Sequence, residues 1–146
     1  MQPAIKQDPV MPAAIVEAIR QTVNSAPYPK LLGMEMEEIR QDYSRMRLRY
    51  RPELNQPAGI VHGGAIASLI DTAVVGALFS GLEKPPRRAV TLDMHIHYLD
   101  AAIEEDVIAE ATVRRRGRSV VFLSVDATTD SGKAVAHGEL SYRVIV

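Results

Sequence analysis

GGAIASLIDTAVVGALFSGL, residues 63–82, is the stretch on which the reading of this chain turns. It carries one ionisable residue, Asp71, opens on two glycines and closes on Ser80-Gly81-Leu82. A run of this length is about long enough to span a bilayer. An ionisable group near its middle would be costly in lipid, so the run reads instead as a helix buried within protein. A helix that is apolar nearly all round must be covered on most of its sides. The flanking sequence has to supply that cover.

On the carboxyl-terminal side, after the break Lys84-Pro85-Pro86-Arg87, the pattern is strand after strand: residues 89–99, 106–115, 119–128 and 134–146. They are joined by residues 100–105, by Arg116-Gly117-Arg118 and by residues 129–133, short connections rich in turn formers. Such connections imply antiparallel neighbours in chain order. On the amino-terminal side, residues 44–51 alternate, with Arg45, Arg47, Arg49 and Arg51 on one face and Met46, Leu48 and Tyr50 on the other. Period two with one charged face is a half-exposed antiparallel strand. Residues 32–40 are compatible with another strand. Residues 12–24 place Ile15, Ala18, Ile19 and Val23 at helical spacing, and Ser25-Ala26-Pro27 should stop that amphipathic helix. Residues 52–61, with two prolines and a glycine, read as an irregular loop. Two strands, one long apolar helix and four more strands make an α+β domain. A single antiparallel six-stranded sheet wrapped around one helix satisfies the pattern, and this is the hotdog arrangement.

The chain has 146 residues, the size of one domain with one core, so residues 1–146 are read as a single unit. Seventeen basic against eighteen acidic residues give a net charge of −1, which offers no overall attraction to nucleic acid or to an anionic membrane. There are no cysteines, so disulfides, thiolate metal sites and a cysteine nucleophile are excluded. The first ten residues have no apolar segment, and a signal peptide is not expected. A cytoplasmic location follows as the expectation.

The stretch Gln56-Pro57-Ala58-Gly59-Ile60-Val61-His62-Gly63-Gly64, followed by Asp71, resembles the hotdog thioesterases of the phenylacetyl-CoA (PaaI-like) group. Their signature is an amide residue, Gly-x-x-His-Gly-Gly at the start of the central helix, and an acidic residue nine positions after the His. The resemblance continues through Thr91-Leu92-Asp93-Met94-His95-Ile96-His97-Tyr98, through Arg116-Gly117-Arg118 and through Ser131-Gly132-Lys133. It implies an acyl-CoA thioesterase without metal or redox cofactor. In this reading Asp71 is general base or nucleophile, the Gly63 N–H is an oxyanion donor, and a loop amide assists. Gln56 is the preferred amide, with Asn55 as the alternative. It also implies a homodimer or homotetramer with sites at the dimer interface. Thr91 is expected to help Asp71 hold the attacking water.

Physical chemistry gives these residues reasons. First-turn N–H groups of a helix lack intrahelical acceptors, and glycines at 63 and 64 leave them open to approach. Together with the helix dipole they suit a developing oxyanion. Tight packing of helix on sheet would also account for the glycines. Capping a backbone group or pairing with an arginine is the lesser alternative for Asp71. Nine residues of helix span roughly 13 Å. Asp71 and the helix start of one chain therefore cannot meet at one thioester, and a second chain must complete the site. His62 is read as fixing the loop or touching the carbonyl, with proton transfer as the lesser alternative. His95, His97 and Asp93 share one strand face, but no further ligands gather there and no metal site is expected. Arg114-Arg115-Arg116-Gly117-Arg118 is either a solvated turn or the contact for the phosphates of coenzyme A, with Arg116, Gly117 and Arg118 as the binding residues. The rivals to acyl-CoA hydrolysis are action on acyl carrier protein and non-catalytic acyl-CoA binding.

Overall fold

The computed structural model describes residues 10–146, so the reading of the first ten residues as no signal peptide falls almost wholly outside the described residues. Helices α1 (Ala13–Ser25) and α2 (Pro27–Leu32) lead into strands β1 (Met34–Arg40) and β2 (Tyr43–Leu48). A 3-10 turn at Pro52–Leu54 and an irregular loop precede α3 (Gly63–Ser80). Strands β3 (Arg88–Tyr98), β4 (Val107–Arg116), β5 (Val120–Thr129) and β6 (Ala134–Ile145) complete the chain. All six form one antiparallel sheet, in the order β1-β2-β4-β5-β6-β3, around α3.

The apolar helix is covered as its composition requires. Ala65 and Ile66, Leu69 and Ile70, Ala73 and Val74, Ala77 and Leu78 are all buried, doublets four residues apart that make one wide stripe. Each large side chain among them contributes about 1.5–3 kcal/mol relative to exposure. The closest approach of helix to sheet is at Gly76, where an added Cβ would lie 2.7 Å from Ser44 Cβ. The fully buried Ser44 hydroxyl donates to the Ala73 carbonyl at 2.5 Å and accepts the Ala77 N–H at 2.9 Å. It thus binds both members of one helical hydrogen-bond pair and fastens the middle of α3 to β2.

Three expectations need correction. The strand read from Leu32 begins only at Met34: residues 27–32 form α2, with Pro27 in its first turn, where proline is well suited, and Gly33 at φ 76° closing it in the left-handed region. On α1, Ile19 and Val23 are buried but Ile15 is half exposed. Most importantly, β3 and β4 are not neighbours. β3 pairs with β6 and β4 pairs with β2. The connection between them is a crossing, not a hairpin. It passes the start of α3, where buried Ala102 accepts the Val61 N–H at 2.9 Å.

The arginine face of β2 is neutralised across the sheet. Glu37 pairs with Arg45 and Arg47, Arg47 also reaches Asp106 and Asp130, and Arg49 reaches Glu35. Charged side chains and an irregularity at Glu37 thus blunt the β1 edge. The opposite edge, β3, is eleven residues long, carries exposed Leu92, Met94 and Tyr98, and pairs on one side only.

Candidate active site

The start of α3 is organised by His62. As N-cap its Nδ1 accepts the Gly64 N–H at 2.8 Å, and its carbonyl accepts the N–H groups of Ala65 and Ile66. Nδ1 is therefore the unprotonated ring nitrogen. Of the first four N–H groups of the helix, only that of Gly63 has no acceptor among the described residues. Gly64 is needed for the cap, since a Cβ there would lie 2.9 Å from His62 Nδ1. Gly64 serves the helix start, Gly63 also sits close against the Tyr98 ring of β3, and Gly76 packs more tightly still on the sheet.

Gln56 and Gly63 line one cleft of about 340 Å³, with Ile66, Tyr98 and Leu99. Gln56 Oε1 accepts the Ala58 N–H at 2.8 Å, which fixes the side chain's orientation and leaves its NH₂ without an acceptor among the described residues. Asn55 lies elsewhere. Its Nδ2 donates to the Tyr50 hydroxyl at 3.1 Å, and it lines a separate cleft with His62 and Gly64. Tyr98 closes the first cleft by donating to the Gly63 carbonyl at 2.8 Å.

Asp71 sits two turns further along α3, half-buried, and it is not the lone carboxylate that its sequence context implies. The Thr91 hydroxyl donates to Oδ1 at 2.8 Å and the Tyr142 phenol donates to the same oxygen at 2.7 Å. Among the described residues no hydrogen bond reaches Oδ2. Thr91 and Tyr142 are directly paired across β3 and β6. An irregularity between Thr91 and Asp93 makes this possible. Strict alternation would put Thr91 on the face of His95; the extra residue turns it towards the helix. Burial pushes the Tyr142 phenol above its ordinary range; the Thr91 hydroxyl opposes this and the Asp71 carboxylate adds to it. Tyr142 belongs to no motif, and only its place opposite Thr91 could have flagged it.

The basic run is divided. Arg116 is not a free surface cation: its guanidinium donates to Asp42 at 2.7 and 2.9 Å and to the carbonyls of Ala77 and Leu78 at 3.0 and 2.9 Å. It caps the carboxyl end of α3, where a cation is favoured. The phosphate role expected of Arg116 is corrected on this ground. Gly117 makes the tight β4–β5 turn, its N–H bonding the Val120 carbonyl at 2.8 Å with no room for a Cβ. Arg114, Arg115 and Arg118 are exposed. The turn lies at the Tyr142 end of the sheet, because Val121 pairs with Tyr142 and the Ser119 carbonyl accepts the Val144 N–H. His95 and His97 do share the outer sheet face, with Nε2 atoms 3.1 Å apart. Among the described residues no group of three His, Asp or Glu is arranged to hold a metal.

One antiparallel sheet wrapped around a long central helix is the hotdog fold, and comparison with known proteins makes the chain a thioester hydrolase of that fold. The chain belongs to the thioesterase superfamily, whose family model matches residues 58–136. A Halobacterium salinarum protein with a provisional esterase name is 37% identical over 123 residues, covering 77% of this chain and 81% of that one. Human acyl-coenzyme A thioesterase 13 is 33% identical over 93 residues, covering 62% of this chain and 65% of the human one. The solved structure of the E. coli PaaI protein superposes with a TM-score of 0.80 over 90% of this chain and 96% of its own, at 20% identity, and so shares the fold.

Proposed function

We propose that this chain hydrolyses an acyl-CoA thioester to the free acid and CoA, at sites built from two copies. The carrying observation is the pair of half-sites on one helix, the unpaired N–H of Gly63 and the pinned carboxylate of Asp71. Asp71 takes a proton from water as the water oxygen attacks the thioester carbon, or attacks that carbon itself. The carbonyl oxygen gains charge and is held by the Gly63 N–H and the Gln56 amide. Collapse breaks the C–S bond and expels the CoA thiolate, which takes up the proton that Asp71 removed from water. On the direct path it leaves an acyl anhydride on Asp71, which water then hydrolyses to the free acid. The acyl-CoA class is supported by the similarity to human acyl-coenzyme A thioesterase 13.

Assembly through β3 is supported by its chemistry. A long edge strand with exposed apolar side chains is a template for pairing with another chain. Thr91, against Asp71, and Tyr98, against Gly63, lie near opposite ends of this strand. Antiparallel pairing of two β3 strands brings the Thr91 end of one copy to the Tyr98 end of the other. The two half-sites then meet.

The direct test is thiol release from a panel of CoA esters and from acyl carrier protein thioesters. Turnover of CoA esters is expected. Binding without release would replace hydrolysis by ligand sensing, and release from the carrier protein alone would move the substrate class. Arg118 is the proposed phosphate contact. Arg118→Ala should raise KM about three- to tenfold with little change in kcat, the mark of lost uniform binding. The difference should shrink in high salt, because exposed charges are screened over about 8–10 Å. An unchanged KM would return the turn to a solvated loop.

A further inference from the structure

Asp71 is tied down by a residue from the last strand. We infer that Tyr142 is a positioning residue for Asp71. With Thr91 it makes Oδ1 the anchored oxygen and leaves Oδ2 to meet the attacking water or the thioester carbon. This rests on the reading of Asp71 as the catalytic carboxylate.

The geometry is a two-donor clamp. Tyr142 is 5% exposed on β6, faces α3, and reaches Oδ1 at 2.7 Å while Thr91 reaches it at 2.8 Å. The terminal torsion of an aspartate is soft and roughly two-fold, so a single donor would hold it poorly. Two hydroxyls fixed by cross-strand pairing, both aimed at one oxygen, select one orientation. The phenol's one O–H is shared with the main-chain carbonyl of Asp71, 2.9 Å away, so it faces the backbone as well as the nearer Oδ1. Burial raises the phenol's pKa and keeps it protonated, hence a donor, across the working range of a carboxylate. A purely structural alternative exists, in which Tyr142 only fastens α3 to β6 through that main-chain carbonyl.

The two roles separate in a double-mutant cycle. Tyr142→Phe keeps the ring and removes only the hydroxyl. Hydrogen bonds to charged groups have energies for which a loss of kcat of about tenfold is expected, with KM changed less than about twofold. Thr91→Val should act similarly, and the two together should fall close to Asp71→Asn. In the Asp71→Asn background Tyr142→Phe should leave the residual rate unchanged within about twofold, because no catalytic carboxylate remains to be positioned. Rates are referred to the folded fraction at the assay temperature, so a lowered Tm does not masquerade as lost chemistry. Wild-type kcat in Tyr142→Phe alongside an inactive Asp71→Asn overturns the positioning role alone. The same tenfold loss in both backgrounds assigns Tyr142 to structure and also overturns it. Normal turnover in Asp71→Asn removes the underlying reading.

Discussion

Asp71→Asn should lower turnover at least a hundredfold, in the range for loss of a positioned base or nucleophile. The substitution isolates the chemistry. An asparagine carbonyl oxygen can still accept from Thr91 and Tyr142, so the contacts at 2.8 and 2.7 Å survive. What changes is the second atom: an NH₂ stands where Oδ2 was, and it neither takes a proton from water nor attacks a carbonyl. Because the side chain is half-buried and keeps its partners, the melting temperature should move little. Alanine would be the less informative choice, since it leaves the Thr91 hydroxyl without its acceptor and the Tyr142 phenol with only the main-chain carbonyl. Steady-state thiol release, with circular dichroism to certify the fold, makes the comparison. A variant within a few-fold of wild type would remove Asp71 from the mechanism.

The sequence carries this site unevenly, for physical reasons. The helix is plain because burial demands an uninterrupted apolar run, and a single carboxylate within it stands out. The strands are plain because alternation is local. Their order is not local. Short connections between residues 89 and 146 read as hairpins throughout, yet β3 leaves for the far edge and pairs with β6. Nothing nearby in sequence encodes that choice; it is made by the need to cover α3. The same non-local pairing hides Tyr142, whose role exists only because it falls opposite Thr91. The irregularity at Leu92 hides the facing of Thr91, since strict alternation groups it with His95. Arg116 misleads for the opposite reason. A run of arginines looks like one surface patch, but a second irregularity, between Val113 and Arg115, lies beside the residue that turns in to cap α3.

Gly63→Pro should also abolish most turnover, by about a hundred- to a thousandfold, the usual loss when one oxyanion donor is removed. Proline is tolerated in the first position of a helix, so only the N–H is lost. His62 already has φ −60° and ψ 134°, the conformation that a residue before proline prefers. A Cβ at position 63 meets the Tyr98 ring at 3.3 Å, which asks the ring to give by a few tenths of an ångström. Gly63→Ala has the same Cβ and keeps the N–H, and it should retain most activity. With both inactive variants in hand, the two-copy site can be tested directly. Asp71 and Gly63 are eight residues apart on one helix, about 12 Å. If each site takes its carboxylate from one copy and its N–H from another, a mixed dimer holds one site with both halves damaged and one with both intact. Exchange of equal amounts of Asp71→Asn and Gly63→Pro chains should restore about a quarter of wild-type activity per chain, because half the dimers are mixed and each has one good site. Light scattering should report at least a dimer throughout. Mixed dimers that form, shown by differently tagged chains purifying together, yet stay inactive would place both half-sites within one copy. The 12 Å gap would then have to be closed by movement of the chain itself.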